Sequence, residues 1–318
     1  MSFSGDVKAE LCKRVATSRH CQLSELAAIL LFAGRTAKAP ENADGGALLV
    51  LEPANAALLR KCFTLLKKSF SIERVSALSG DTRRRRALCF AEEEMLRRVT
   101  DGLKLRAGET AESGERSFCG AAEPLLLKKS CCQRAFLRGA FLCAGSMSDP
   151  EKGYHMEFVV SEEAQAAQLK SLIRGFGVEA KVIGRKRNSV VYIKESAGIV
   201  DLLNVMEAPR ALMRMENLRI IKEMRNSVNR RVNCETANIY KTVTAAEKQI
   251  ADIQRLRTSD AYEELPGSLR EMAELRLAYP DASLKELGEL LKPPIGKSGV
   301  NHRLRKLMEI AGKNAGSL

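Results

Sequence analysis

Apolar residues run almost unbroken through two stretches of the chain, 22–35 (QLSELAAILLFAGR) and 133–146 (QRAFLRGAFLCAGS). A helix that is apolar on nearly every face belongs between the layers of a core. Aligned on Gln, the two stretches share a Leu column (Leu26, Leu137), a run of small and apolar residues, and a closing Ala-Gly (Ala33-Gly34, Ala144-Gly145). The offset, 144 − 33 = 111 residues, is too long for a solenoid unit and suits a duplicated half-domain. Small residues at Ala27, Ala28, Ala33, Gly34, Gly139, Ala140, Ala144 and Gly145 leave room for two such helices to approach closely.

The pattern after each stretch repeats as well. The first is followed by a polar turn (Glu41–Gly46), an apolar strand (Ala47–Leu51) and a helix (Asn55–Lys68). Strands near Ile72–Leu78 and Arg84–Phe90 and a helix over Ala91–Thr100 come next. After the second come a turn (Ser148–Gly153), a strand (Tyr154–Val160) and a helix (Ser161–Phe176). Strands at Val178–Ile183 and Ser189–Lys194 and a helix from Ser196 complete that half. Both halves read as mixed α+β joined by short turns, with Gly108–Glu115 as the linker. Beyond Ala208 strand-like alternation stops, and 210–224, 235–257 and 268–279 read as helices. The polar run Asn229–Asn238 reads as either a turn between domains or a phosphate-contacting surface.

The carboxyl-terminal segment carries the most specific local signals. Ser283 and Glu286 form a capping box ahead of a helix over Leu284–Leu291, which Pro293-Pro294 must end. After the turn Lys292–Lys297, Ser298 caps a second helix, Gly299–Ala311, whose Val300, Leu304 and Leu307 form a core-facing stripe. The opposite face presents Ser298, His302, Arg305 and Lys306, flanked by Asn301 and Arg303. With a packing helix ahead of them, a short helix, a tight turn and a basic helix make a helix-turn-helix. In a major groove Asn pairs with adenine, Arg with guanine and Lys with guanine or phosphate, so this face suits reading of double-stranded DNA. Lys297 and Ser298, at the amino end of that helix, are placed mainly for phosphate.

Charge agrees with a polyanionic partner: 52 Lys and Arg against 39 Asp and Glu leave +13. Arg83, Arg84, Arg85 and Arg86 are either phosphate contacts or the charged blunting of an edge strand. The longest apolar block, Leu26–Gly34, is half of a membrane span, and the first fourteen residues lack the apolar core of a secretory signal, so a soluble protein of the cell interior is expected. No two of the nine cysteines have the spacing of a zinc knuckle, and their number is odd in a long chain, which leaves buried free thiols and no metal or cofactor as the reading.

These residues carry a resemblance. Leu26–Gly34 (LAAILLFAG) and Leu137–Gly145 (LRGAFLCAG) resemble degenerate LAGLIDADG helices of homing endonucleases. Together with the carboxyl-terminal helix-turn-helix, and with 131–146, 148–152, 223–230, 232–238 and 281–311, they make the chain similar to the WhiA family of bacterial sporulation and cell-division regulators. The resemblance implies two αββαββα halves forming a saddle (1–112 and 117–221), then an all-α segment (222–318) with its helix-turn-helix at about 282–315. In the nucleases the residue before the last Gly of the motif is the metal-holding acid. Here it is Ala33 and Ala144, and a methyl group offers no oxygen to a hard cation. The implied protein is therefore not an enzyme but a cytoplasmic, nucleoid-associated transcription regulator acting on promoter DNA. Cell division, chromosome segregation and sporulation are the processes implied, with other transcription regulators or cell-division proteins as possible partners. The rival readings are a nucleoid-associated architectural protein and a surviving homing endonuclease.

Overall fold

A computed structural model of the chain describes residues 2–38, 46–52, 55–73, 75–79, 86–90, 92–110 and 114–315. It divides into two compact units, Met1–Lys222 and Glu223–Leu318.

The first unit opens with α1 (Phe3–Lys13), capped by Ser2, and α2 (Arg19–Ala33). Next come β1 (Gly34–Lys38), β2 (Ala47–Leu51), α3 (Ala56–Phe70), β3 (Val75–Ser79), β4 (Arg86–Phe90) and α4 (Glu93–Gly102). Asn55 caps α3 through a 2.9 Å bond from the Leu58 amide, and Ser71 ends it in the left-handed conformation. A hairpin, β5 (Arg106–Thr110) and β6 (Arg116–Cys119), leads to α5 (Ser130–Ala144), β7 (Gly145–Met147) and β8 (Met156–Val160). Then follow α6 (Glu163–Gly175), β9 (Lys181–Arg185), β10 (Asn188–Ile193) and α7 (Ser196–Val205). The long helix α8 (Pro209–Arg257) begins in this unit.

The duplication is visible in strand order. The first sheet runs β3-β4-β2-β1-β6-β5 and the second β7-β8-β10-β9, so β9-β10-β8-β7 repeats β3-β4-β2-β1. All pairs are antiparallel, and the order αββαββα runs from α2 in the first half and from α5 in the second. The two repeated helices, α2 and α5, cross at the centre of one shared core. A Cβ on Gly139 would stand 2.6 Å from the Glu25 carbonyl oxygen and 2.8 Å from the Ala28 Cβ, so the crossing requires glycine there.

Two sequence expectations are corrected. Gly108–Glu115 is not a plain linker, because its residues Gly108–Thr110 belong to β5, which pairs with β6, and β6 pairs with β1. Arg116 and Ser117 of β6 pair with the otherwise open edge of β1, and Phe118 is buried as the anchor. Asn229–Asn238 is not a turn but an exposed stretch inside α8. The short stretches directly after α2 and α5 form β1 and β7, the first strands of the αββαββα order in each half.

The second unit holds the rest of α8, then α9 (Gly267–Ala278), α10 (Leu284–Leu290) and α11 (Lys297–Ala315). Its core gathers Ile253 and Leu256 of α8, Leu269, Met272 and Ala273 of α9, Leu287 of α10, and Val300, Leu304, Leu307 and Ala311 of α11. Among the described residues no helix is long and apolar enough to cross a membrane.

Candidate nucleic-acid interface

The capping box starts α10 as its sequence requires. The Glu286 amide donates to Ser283 Oγ at 3.3 Å, and the Ser283 amide donates to Glu286 Oε2 at 2.7 Å. These bonds hold the Glu286 carboxyl below the usual carboxylate range, the backbone bond from Ser283 first among the causes. The turn is set by Gly288, whose carbonyl accepts from the Ile295 amide at 3.0 Å. A Cβ at that glycine would lie 2.2 Å from the Ile295 oxygen. Sequence reasoning missed a further positioning group, Arg276, which is 1% exposed. Its Nε donates to Gln249 Oε1 at 2.9 Å and its Nη1 to the Ala282 carbonyl at 2.7 Å, tying α8 and α9 to the segment that enters α10.

With Val300, Leu304 and Leu307 at most 1% exposed, α11 turns its opposite face outward. Lys297, Ser298, Asn301, His302, Arg305 and Lys306 are all exposed along it. Arg303 differs, being half-buried with its Nη1 donating to the Ser268 carbonyl at 3.4 Å. Arg305 Nε lies 3.5 Å from Glu309 on the next turn. The helix begins at Lys297, so Ser298 lies within its first turn and is not its cap. Residues 292–313 carry six Lys or Arg against one acid, Glu309, so the face that leaves the core is cationic. Of the arginine run, Arg83, Arg84 and Arg85 lie outside the described residues. Arg86 opens β4, opposite Leu51 of β2 and Ser79 of β3.

The carboxyl ends of α2 and α5 bring Ala33 and Ala144 to the starts of β1 and β7. Ala33 is buried and Ala144 half-buried. Charge is concentrated elsewhere, inside the core. Glu25 of α2, wholly buried, receives Lys61 Nζ of α3 at 2.6 Å. Arg138 of α5 embraces it with Nε at 2.9 Å and Nη2 at 3.2 Å, while Arg138 Nη1 reaches Glu207 at 3.2 Å. Burial pulls the Lys61 ammonium down, and the Glu25 carboxylate works against it. The spacing argument also missed a grouping at the opposite ends of the same helices. His20 and Cys21 meet Cys131 and Cys132, and burial, then the two neighbouring thiols, push the Cys21 thiol up to about 12. Nor are all the thiols buried, since Cys131 and Cys234 are exposed.

Two family models match the chain, the WhiA LAGLIDADG-like domain over residues 133–225 and the WhiA C-terminal HTH domain over residues 228–311. A relative from Lachnoclostridium phytofermentans, named "Probable cell division protein WhiA", is 47% identical, the match covering 98% of each chain. The chain belongs to the WhiA family. A second relative of the same name, from Alkaliphilus oremlandii, is 46% identical, again over 98% of each chain. The fold is similar to that of full-length DUF199/WhiA from Thermatoga maritima, with a TM-score of 0.56, 24% identity, and coverage of 98% of this chain and 99% of that one. A LAGLIDADG-like domain followed by a helix-turn-helix domain is thus the architecture of this member of the WhiA family.

Proposed function

We propose that this protein is a sequence-specific DNA-binding transcription regulator of cell division that reads promoter DNA with α11 and does not cleave it. The observation that carries the reading is the division of α11. Its apolar stripe is consumed by the core, and six polar or cationic side chains, Lys297, Ser298, Asn301, His302, Arg305 and Lys306, are left for a groove. Asn301 and Arg305 are one helical turn apart, so both reach base edges from one face, with adenine and guanine as their natural partners. Lys297 and Ser298 at the amino end serve phosphate, where free amides and the helix dipole favour an anion. Arg303, already bonded to Ser268, contributes charge at the flank.

The LAGLIDADG-like unit serves as a platform for DNA or for partner proteins, with Arg83, Arg84, Arg85 and Arg86 as its phosphate-contacting run. Residues 1–112, 117–221 and 222–318 are the working divisions of the chain. Alanine at positions 33 and 144 supports the non-cleaving reading, because a hard dication needs oxygen donors there. The printed names of the relatives support a role in cell division. Chromosome segregation and sporulation extend that role, with other transcription regulators or cell-division proteins as partners. A cytoplasmic, nucleoid-associated location follows from the DNA partner.

The test is a titration of the intact chain against its preferred promoter and a scrambled duplex at two salt concentrations. Replacing Asn301 and Arg305 together by alanine should cost about 1–3 kcal/mol for each lost base contact on the promoter and little on the scrambled duplex. Unchanged promoter affinity would remove α11 as the reading helix. Equal affinity of the unaltered chain for both duplexes, with a steep salt slope, would favour the architectural role.

A further inference from the structure

The amino-terminal turns of α2 and α5 bring together one imidazole and three thiols. His20 Nδ1 lies 3.2 Å from Cys132 Sγ, 3.3 Å from Cys21 Sγ and 3.9 Å from Cys131 Sγ, and all four donor atoms fall within 4.8 Å of one another. A tetrahedral zinc with bonds of ~2.3 Å to sulfur and ~2.0–2.1 Å to nitrogen has N···S edges of about 3.6 Å and S···S edges of about 3.8 Å. The N···S distances here bracket the first of these values.

The placement follows from the duplication. Cys131 stands 131 − 20 = 111 residues after His20, and Cys132 the same distance after Cys21, the offset that relates Ala33 to Ala144. Equivalent dipeptides of the two copies therefore face each other across the helix crossing, although no sequence-local motif exists. The turns that carry them are held in matching ways. Gln22 Nε2 donates to the Ala16 carbonyl at 2.8 Å, and Gln133 Nε2 donates to the Leu127 carbonyl at 2.9 Å, the same bond in each copy. Ser24 Oγ crosses between the copies to the Leu126 carbonyl at 2.6 Å. Cys21 and Cys132 are buried against Ala135 and Ala16, whereas His20 and Cys131 are exposed and give an ion access from solvent.

We propose that His20, Cys21, Cys131 and Cys132 bind one zinc ion as a closed structural site that staples the two halves together at the ends remote from Ala33 and Ala144. Three thiolates and one imidazole are an established set for structural zinc, in which no position remains open for chemistry. Calcium and magnesium need oxygen donors, and an iron–sulfur cluster takes four thiolates in its common forms. With zinc the complex carries a net charge of −1, which the positive ends of two helices favour. The site is independent of the DNA-reading face, so either assignment stands if the other fails.

Cobalt(II) reports this site directly. The full-length chain, reduced and freed of metal, is titrated with cobalt(II) and then with zinc. One equivalent of cobalt should produce the thiolate charge-transfer and ligand-field bands of a tetrahedral site, and one equivalent of zinc should abolish them. Cys131→Ser replaces an exposed side chain, so a circular dichroism spectrum like that of the parent is expected alongside loss of these bands. Cys21→Ser should lose them too, and Cys234→Ser, an exposed cysteine outside the cluster, should keep them. Zinc should raise the Tm of the parent and leave that of Cys131→Ser unmoved. Absence of the bands from the reduced parent, or their persistence in both Cys131→Ser and Cys21→Ser, would overturn the proposal. A disulfide among these cysteines in a chain that takes up no cobalt would identify a redox pair instead.

Discussion

A carboxylate, an ammonium and a guanidinium from three helices sit inside the core of the first unit, while the second unit closes around twelve buried apolar side chains and turns its arginine, Arg276, toward one side chain and the backbone. In the first unit, charge joins elements far apart in sequence, with Glu25 and Arg138 separated by 113 residues. In the second, the buried guanidinium bonds Gln249 and carbonyls within six residues and fixes the path of a short segment into α10. Buried charge specifies partners in one unit and trims a local turn in the other. The first unit therefore depends on completeness of a network, and the second on fit.

Breaking the network should have the largest effect. Glu25→Ala leaves Lys61 and Arg138 buried without their carboxylate and should cost about 3–5 kcal/mol. Calorimetry should show the transition of the first unit falling while that of the second holds. Replacing the three charges together, as Glu25→Leu, Lys61→Met and Arg138→Met, should recover most of the loss, because an apolar cluster of similar volume carries no uncompensated charge. A triple variant as unstable as Glu25→Ala would mean that the ions contribute more than their own desolvation.

Fit in the second unit is probed at Gly288. Alanine there meets the Ile295 carbonyl oxygen and should destabilise this unit by about 1–3 kcal/mol, with the first transition unmoved. The smallest effect is at the capping box. Since Glu286 is held below the ordinary carboxylate range, its contribution is fully present above that range and is lost as pH falls through the depressed value. Glu286→Gln should flatten the acid side of the second unit's Tm against pH by lowering its neutral-pH end, where the ionised carboxylate contributes, and should change little at acid pH. An acid slope equal to the parent's would assign that slope to other carboxylates.

What could be read from the sequence was whatever lay within a few residues or repeated. The capping box occupies four residues, and Ser283 and Glu286 form both of its bonds. The stripe Val300, Leu304, Leu307 is buried as its spacing requires, and Ala47–Leu51 is a strand over those same residues. The paired helices were legible because α2 and α5 share one offset. Other features depend on contacts made only after folding. The pairing of β5 with β6, and of β6 with β1, is made by backbone groups and leaves no mark in the side chains. Arg276 looks in sequence like any cation on a helix, and only burial distinguishes it. The His20, Cys21, Cys131 and Cys132 cluster escaped a search for close spacing because its members meet across a helix pair. The exposure of Asn301, His302, Arg305 and Lys306 followed from periodicity, whereas the turn of Arg303 toward Ser268 did not.

The network around Glu25 also constrains how the two copies can be arranged. By the 111-residue offset, Glu25 corresponds to Phe136 and Arg138 to Ala27, so neither half carries both members of the pair. A second half set against a copy of itself would offer Phe136 where the carboxylate stands, stranding the guanidinium in an apolar seam. A first half set against itself would present Glu25 to Ala27 and lose the bidentate embrace. Symmetry holds in the strand order and is absent at the centre. The two halves are not interchangeable, because each holds one member of the pair as lock and key.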